Sequence, residues 1–350
     1  MKKLLIIIFC LLISGCNNYR ELNNIAVVSA LGIDYKDNMY NVSVLVKDNA
    51  KNDENKTSIY TYEGKSLDEA IKKIGLLASK TLYFIDLDVL VISKNATSKL
   101  QNIMDYLSRD SNVGVNFYIL CDNNFEDSFK LMQKKDNVYG DYVKGILQDN
   151  YNNIVRMKYI PFLQKFLSPC YDVIIPVGYI YNDNYLIDKA IIFNNKEITS
   201  TLDFENIQIY NILNNSNMTY LFNSSINNKE FTFKGMKVKS NISYDNKFII
   251  EIDANGILDE MSDIDLNNKK NIQEITDNIN KEISDKTKEF TDKLILNNSD
   301  ILGFKKIYYN KKRSKLKSIN NIEYEVKVKV SLNRKGLIFY SLGGEYEKSR

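Results

Sequence analysis

Histidine is absent from all 350 residues, so the side chains that could do chemistry here are carboxylates, lysines, tyrosines and cysteines. Without imidazole there is no Ser-His-Asp triad, no Cys-His dyad and no His-ligated zinc. The remaining groups fall into a few recognisable spacings. Asp263-x-Asp265-x-Asn267-Asn268, with Glu274 at the twelfth position, follows the oxygen-ligand spacing of an EF-hand calcium loop. Asn268 replaces its sharp-turn glycine, Lys270 takes the usual apolar eighth position, and the preceding segment reads as strand. The same residues therefore read as the polar start of a helix. Gly64-Lys65-Ser66 has the ending of a phosphate-binding loop, but Ile59 stands where its first glycine belongs. Ser66-Leu67-Asp68-Glu69 reads instead as a capping box. Asp259-Glu260 pairs two acids at the end of a strand with no second constellation beside them. No catalytic set, metal site or cofactor is expected.

The fourth chemistry is lipidation. Met1-Lys2-Lys3 gives a positive start, Leu4 to Ile13 is unbroken apolar sequence, and Ile13-Ser14-Gly15-Cys16 ends it on small residues before a cysteine. The apolar run is about half the ~20 residues a spanning helix needs. The pattern resembles the bacterial lipobox, in which the cysteine thiol receives a diacylglycerol and becomes the first residue of the mature chain. Two acyl chains hold a protein stably on a bilayer where one does not. Cys10 leaves with the signal. Cys121 and Cys170 remain; outside the cytosol they could pair, but Cys121 ends a strand-like run and reads as a small core residue.

Composition narrows the rest. Hydrophobic content of 44% and charged content of 26% are those of a folded, water-facing chain. Lys+Arg number 47 against 44 Asp+Glu, and removing Lys2 and Lys3 with the signal leaves 45 to 44. There is no basic stripe, so no nucleic-acid partner is expected.

The elements that must position these residues are legible as periodicities. Ile25 to Ile33 and Met39 to Lys47 read as a hairpin around Asp37-Asn38, followed by a strand at Ser58 to Glu63. Leu67, Ala70, Ile71, Ile74, Leu77 and Ala78 then mark a helix. A strand at Leu87 to Ile92, a helix from Ala96 to Leu107 and a strand at Val115 to Cys121 complete the unit. Helices are expected at Phe125 to Met132, Tyr139 to Asn153 and Ile160 to Leu167, and strands at Asp172 to Ile180 and Tyr185 to Phe193. Ile207, Ile209, Ile212 and Leu213 are spaced like a short helix, and the Asn-rich 214–217 marks a boundary. Beyond it, Met236, Val238, Ser240 and Ile242 alternate with polar residues, as do Phe248, Ile250, Ile252 and Ala254. Ile275, Ile279, Ile283, Phe290 and Leu294 form the apolar stripe of a long helix, and Ile322 to Leu332 alternates as a strand. The fold class is α+β and multi-domain, each domain a mainly antiparallel or mixed sheet packed with helices. The expected divisions are signal 1–15, lipid anchor and tether 16–24, an N-terminal α/β domain 25–122, a middle domain 123–215, a C-terminal α+β domain 216–340 and a tail 341–350.

The segment from Cys16 through Arg20-Glu21-Leu22-Asn23-Asn24 to Ala30-Leu31-Gly32-Ile33-Asp34 resembles the start of the C subunits of spore germinant receptors. That family opens with the lipid cysteine, Trp-Asp, two basic residues, Glu-Leu-Asn and an Ala-Leu-Gly-Ile-Asp strand. The likeness continues at Leu82-Tyr83-Phe84, Arg109-Asp110, Ile174-Ile175-Pro176 and Asp300-Ile301-Leu302-Gly303-Phe304. Asn17, Tyr19 and Asp86 depart from the family's Trp, second basic residue and His. The resemblance implies three successive mixed α/β domains on the outer leaflet of a spore's inner membrane. It also implies a complex with membrane-embedded subunits of A and B type that detect nutrients, and no enzyme activity of its own. On this reading Arg20 and Glu21 dock against partner loops, Gly32 takes a positive φ at a strand end and Asp34 caps the following turn. Arg109, Asp110, Gly303 and Phe304 complete the family-motif residues. The sequence also leaves open a solute-binding lipoprotein of an importer, and a surface hydrolase using two carboxylates.

Overall fold

A computed structural model of the chain describes residues 25–47, 57–149, 153–194, 197–226, 229–261 and 268–334. They fold as a mixed α+β protein on two sheets, as expected.

The first sheet begins with the predicted hairpin. Strands β1 (Ile25–Lys36) and β2 (Met39–Lys47) pair antiparallel, and β2 pairs with β3 (Thr57–Gly64). Asp37 and Asn38 both have positive φ, 51° and 61°, which is the two-residue turn whose twist matches the flanking strands. The hairpin therefore continues past Ile33. Gly64 leads into helix α1 (Leu67–Ala78), where Ser66 Oγ accepts from the Glu69 N–H at 3.2 Å and the Glu69 carboxylate accepts from the Lys65 N–H at 2.9 Å. The phosphate-loop ending is thus a helix cap.

Short β4 (Thr81–Tyr83) and then β5 (Val89–Ile92) lie parallel to β1, and β6 (Tyr118–Cys121) lies parallel to β5. All four residues of β5 and of β6 are buried, as parallel strands covered on both faces require. On one face lie α1, α2 (Leu100–Arg109) and α5 (Tyr159–Phe166). On the other lie α3 (Phe125–Lys134) and α4 (Tyr139–Gln148). Two boundaries differ from expectation: Val115 is exposed and β6 starts only at Tyr118, and α4 ends at Gln148. β6 meets β7 (Val173–Tyr181) in parallel at Cys121 and Val177. The antiparallel β8 (Asn184–Asn194) and β9 (Glu197–Leu202) close the edge, giving the order β3-β2-β1-β5-β6-β7-β8-β9. Segments 25–122 and 123–215 both contribute strands to this one sheet.

Helix α6 (Phe204–Leu213) starts at Asp203, whose carboxylate accepts from the Asn206 N–H at 2.9 Å. Every residue from Ile207 to Leu213 is buried, the mark of a helix enclosed on all sides. It packs between β8 and β9 of the first sheet and β11 of the second. Its polar side chains are satisfied inside: Gln208 donates to the Leu221 carbonyl at 2.9 Å and Asn211 to the Ile154 carbonyl at 3.1 Å.

The second sheet runs β10 (Tyr220–Ile226), β11 (Lys229–Asp245), β12 (Lys247–Met261), β13 (Tyr324–Arg334). The first three are antiparallel, and β13 runs parallel to β12 after a crossover through α7 (Lys269–Leu296) and α8 (Phe304–Lys312). The predicted stripe of α7, from Ile275 to Leu294, is buried against this sheet. Lys237, Lys239, Glu251, Asp253, Lys327 and Lys329 face water on the other side. Met236 does not join the inward set: the register of β11 shifts between Gly235 and Lys237, and Met236 is left exposed.

Gly32 also departs from expectation. It sits inside β1 without a positive φ, and Gly303 is the one glycine with positive φ among the described residues. The reason for a glycine is instead steric, because a Cβ at Gly32 would overlap the Phe125 ring. Gly32→Val is expected to destabilise the protein by about 1–3 kcal/mol through overpacking, read as a lowered urea midpoint with an unchanged m-value.

Candidate functional site

The most organised polar arrangement joins the two sheets. Asp300, between α7 and α8, is completely buried. Its Oδ1 accepts from the N–H groups of Gly303 at 2.7 Å and Phe304 at 2.8 Å, and its Oδ2 from that of Lys305 at 2.8 Å. These are donors at the start of α8, which has no other side-chain cap. The backbone of Asp300 completes the joint: its N–H donates to Asp172 Oδ2 at 2.5 Å, and its carbonyl accepts from the Asp172 N–H at 3.0 Å. Asp172 immediately precedes β7, so two buried acids far apart in sequence tie the α7–α8 corner to the first sheet. Thr199 Oγ1 and Ser299 Oγ lie 2.9 Å apart, and the Asn194 amide donates to the Asn298 carbonyl at 3.3 Å.

Burial raises the carboxyls of both Asp300 and Asp172 above the ordinary value; the three backbone donors oppose this at Asp300, and the Asp300 N–H opposes it at Asp172. Gly303 shapes the turn with φ 83°, and a Cβ there would overlap the Tyr171 ring. Phe304 is fully buried and meets Phe248 of β12 edge-to-face at 4.9 Å. The corner is built to hold two layers together, since both carboxylate oxygens of Asp300 and Oδ2 of Asp172 are occupied by backbone donors.

The expected site residues do not converge. Cys16, Arg20 and Glu21 lie outside the described residues. Asp34 does not cap the β1–β2 turn; its carboxylate accepts from Ser93 Oγ, joining β1 to the end of β5. Arg109 is exposed and pairs with Asp105 one turn earlier at 3.0 Å. Asp110 ends α2 and accepts from the Asn112 N–H at 2.8 Å. Gly303 and Phe304 belong to the joint. Sequence reasoning missed Asp172 and Tyr171, whose only signal was their place just before the quoted Ile174-Ile175-Pro176.

Two further buried carboxylates are also internally paired. Asp122 accepts from Ser128 Oγ at 2.7 Å and from Tyr185 Oη at 3.0 Å, and Tyr185 Oη lies 2.6 Å from Tyr139 Oη. Asp88, also buried, holds Lys144 at 2.7 Å and Lys47 at 3.4 Å. Cys121 and Cys170 are free thiols, and burial pushes Cys121 up to about 12, which leaves it an unreactive core residue. Among the described residues no group of three or more His, Cys, Asp or Glu is placed to hold a metal ion. Of the calcium-loop residues, 263–267 lie outside the described residues. Asn268 caps α7 through the Lys270 N–H at 2.9 Å, and Glu274 lies 3.9 Å from Lys270.

The two-sheet α+β fold of this chain is shared with a solved structure. The crystal structure of the GerBC protein superposes with a TM-score of 0.57 at 13% identity, covering 87% of this chain and 97% of that one. Residues 18–178 match the family model described as spore germination protein N-terminal domain, and residues 188–336 match that described as spore germination B3/GerAC like, C-terminal. The chain belongs to the GerAC-like family of spore germination proteins. Spore germination protein KC of Bacillus subtilis (strain 168) is 25% identical over 193 residues, a stretch covering 50% of this chain and 47% of that protein. The chain thus aligns with about half the length of this curated relative. The two family matches meet inside the β7–β8 hairpin, so one sheet spans both. No described helix is long and apolar enough to cross a membrane.

Proposed function

We propose that this chain is the lipid-anchored, non-catalytic C subunit of a nutrient germinant receptor. It is held by a diacylglycerol on Cys16 at the outer leaflet of the spore inner membrane and acts by contact with membrane-embedded subunits of A and B type. The observation that carries the reading is the family match over both halves of the chain, 18–178 and 188–336. The signal and lipobox pattern ending at Cys16 supports the anchor. The non-catalytic reading is supported by the family match and by the pairing of two buried carboxylates, Asp300 and Asp122, which face backbone donors, a serine and a tyrosine. Arg20 and Glu21 are the first charged residues after Cys16 in the sequence and are assigned to docking against the partner subunits.

Cys16→Ala is expected to leave an unprocessed precursor or to release the protein from the membrane fraction, with loss of the nutrient response. Membrane fractionation of sporulating cells after an alkaline wash reads this directly. Normal processing with full retention in the membrane would place the anchor elsewhere.

A further inference from the structure

Six of the fourteen exposed large apolar side chains among the described residues, including the three most exposed, lie at one end of the first sheet; Ile180, Tyr181 and Leu186 form a smaller group at the other end. Leu76 and Leu77 end α1, directly before β4, whose Thr81 pairs with Ile25, the first residue of β1. Ile85 and Val115 sit on the loops that feed β5 and β6. These loops are held together at Gly114, whose N–H donates to the Phe84 carbonyl at 3.1 Å and whose missing Cβ leaves room for the Ile85 backbone. Leu167 follows α5 and leads into β7. Leu296 ends α7, two residues before Asn298, which is bonded to Asn194 opposite the start of β7. Since β1, β5, β6 and β7 are parallel, all six residues lie at the end where these strands begin. Leu296 at 82%, Leu167 at 75% and Leu76 at 73% are the most exposed large apolar residues of the described chain. One exposed leucine is ordinary, whereas exposure gathered on one edge marks a surface that another phase or partner covers.

The chain enters at this same edge. Ile25 is nine links from Cys16, and nine extended residues span at most about 32 Å. We propose that this end of the first sheet rests on the bilayer, with the leucines, Ile85 and Val115 seated at the headgroup–acyl boundary. The inference rests on the lipid at Cys16: a reach of at most about 32 Å allows the starting edge of β1 to lie on the membrane, and the exposed leucines, Ile85 and Val115 favour that edge over the far one, about 26 Å away along eight strand residues. A lipid-held protein that lies with a fixed edge on the bilayer presents a fixed face to its neighbours in the membrane, whereas one that tumbles on its tether does not.

The sequence has no tryptophan, so a single substitution supplies the only indole. Leu77→Trp, Val115→Trp and, as the control, Tyr181→Trp are made in the full-length lipidated chain. Tyr181 is 58% exposed and closes the β7–β8 hairpin at the opposite end of the sheet. Each variant is reconstituted on phosphatidylglycerol–phosphatidylethanolamine vesicles with and without brominated acyl chains. The Leu77→Trp and Val115→Trp variants are expected to lose about half their emission or more in brominated vesicles, and the Tyr181→Trp variant to keep its own. Protein that floats with the vesicles yet shows no quenching at Leu77→Trp and Val115→Trp keeps the anchor and overturns the docking, leaving the edge to a protein partner. Equal quenching in all three variants also overturns it. Protein that fails to float overturns the anchor and the docking together.

Discussion

Asp300→Ala is expected to be the most damaging single substitution among the described residues, lowering stability by about 3–5 kcal/mol. It strips the acceptor from three N–H groups at the start of α8. An unsatisfied buried polar group costs about 1–3 kcal/mol, and partial entry of water keeps the three losses from adding in full. Asp300→Asn separates the parts of this effect. The amide oxygen can keep the bonds to Gly303 and Phe304, but its NH2 then opposes the Lys305 N–H, so an intermediate loss is expected. Both variants also differ from the wild type in their response to pH. Burial raises the Asp300 carboxyl, so the folded state holds this proton more tightly than the unfolded chain does. Its stabilising contribution is therefore present below the ordinary carboxylate value and declines as pH rises through the folded value. Neither Asn nor Ala titrates, and both stability curves should lack that decline. Urea unfolding of the wild-type and variant chains at a series of pH values measures both effects; an alanine variant within about 1 kcal/mol of wild type would show that the joint contributes little.

The second large effect is expected at Gly303. Alanine there must adopt φ near 83° and must place its Cβ into the Tyr171 ring. The left-handed backbone costs roughly 1–2 kcal/mol and the overlap about 1–3 kcal/mol, so a loss of about 2–5 kcal/mol is expected. A double-mutant cycle with Tyr171→Ala isolates the overlap. If ring and Cβ compete for the same space, Gly303→Ala should cost less in the Tyr171→Ala background, by 1 kcal/mol or more. Equal costs in both backgrounds would assign the whole effect to the backbone.

These two residues show what a single sequence can and cannot disclose. The Asp300 to Phe304 run stands out by its likeness to the germination family, and the reason for it is visible only in three dimensions. Its partner Asp172 is 128 residues away and carries no pattern of its own. Local periodicity was enough for the β1–β2 hairpin, the capped α1, the stripe of α7 and the alternation of β12 and β13, because each of these buries one face. Where burial is total or slight, the period disappears. Helix α6 is buried from Ile207 to Leu213 without interruption, and only its apolar spacing hinted at a helix. Helix α8 buries Phe304 alone, and β9 and β10 are short and rich in Ser, Thr and Asn; none of the three was expected. Gly32 and Met236 were misplaced for a related reason. A close approach by Phe125 and a shift of strand register are both made by residues distant in sequence or by one irregular hydrogen bond. The proposed lipidation at Cys16 rests on sequence pattern alone, because signal and lipobox patterns are read by processing enzymes as linear sequence, independent of the fold.

The proposal that the chain works as a receptor subunit is tested most directly by capturing the tagged full-length protein from detergent-solubilised spore inner membranes and identifying by mass spectrometry what comes with it. The account predicts recovery of multi-span subunits of A and B type in comparable amounts, loss of that recovery in Cys16→Ala, and no nutrient response from spores that retain this chain but lack those subunits. Recovery of the chain alone, together with an intact nutrient response in spores lacking the membrane-embedded subunits, would contradict it.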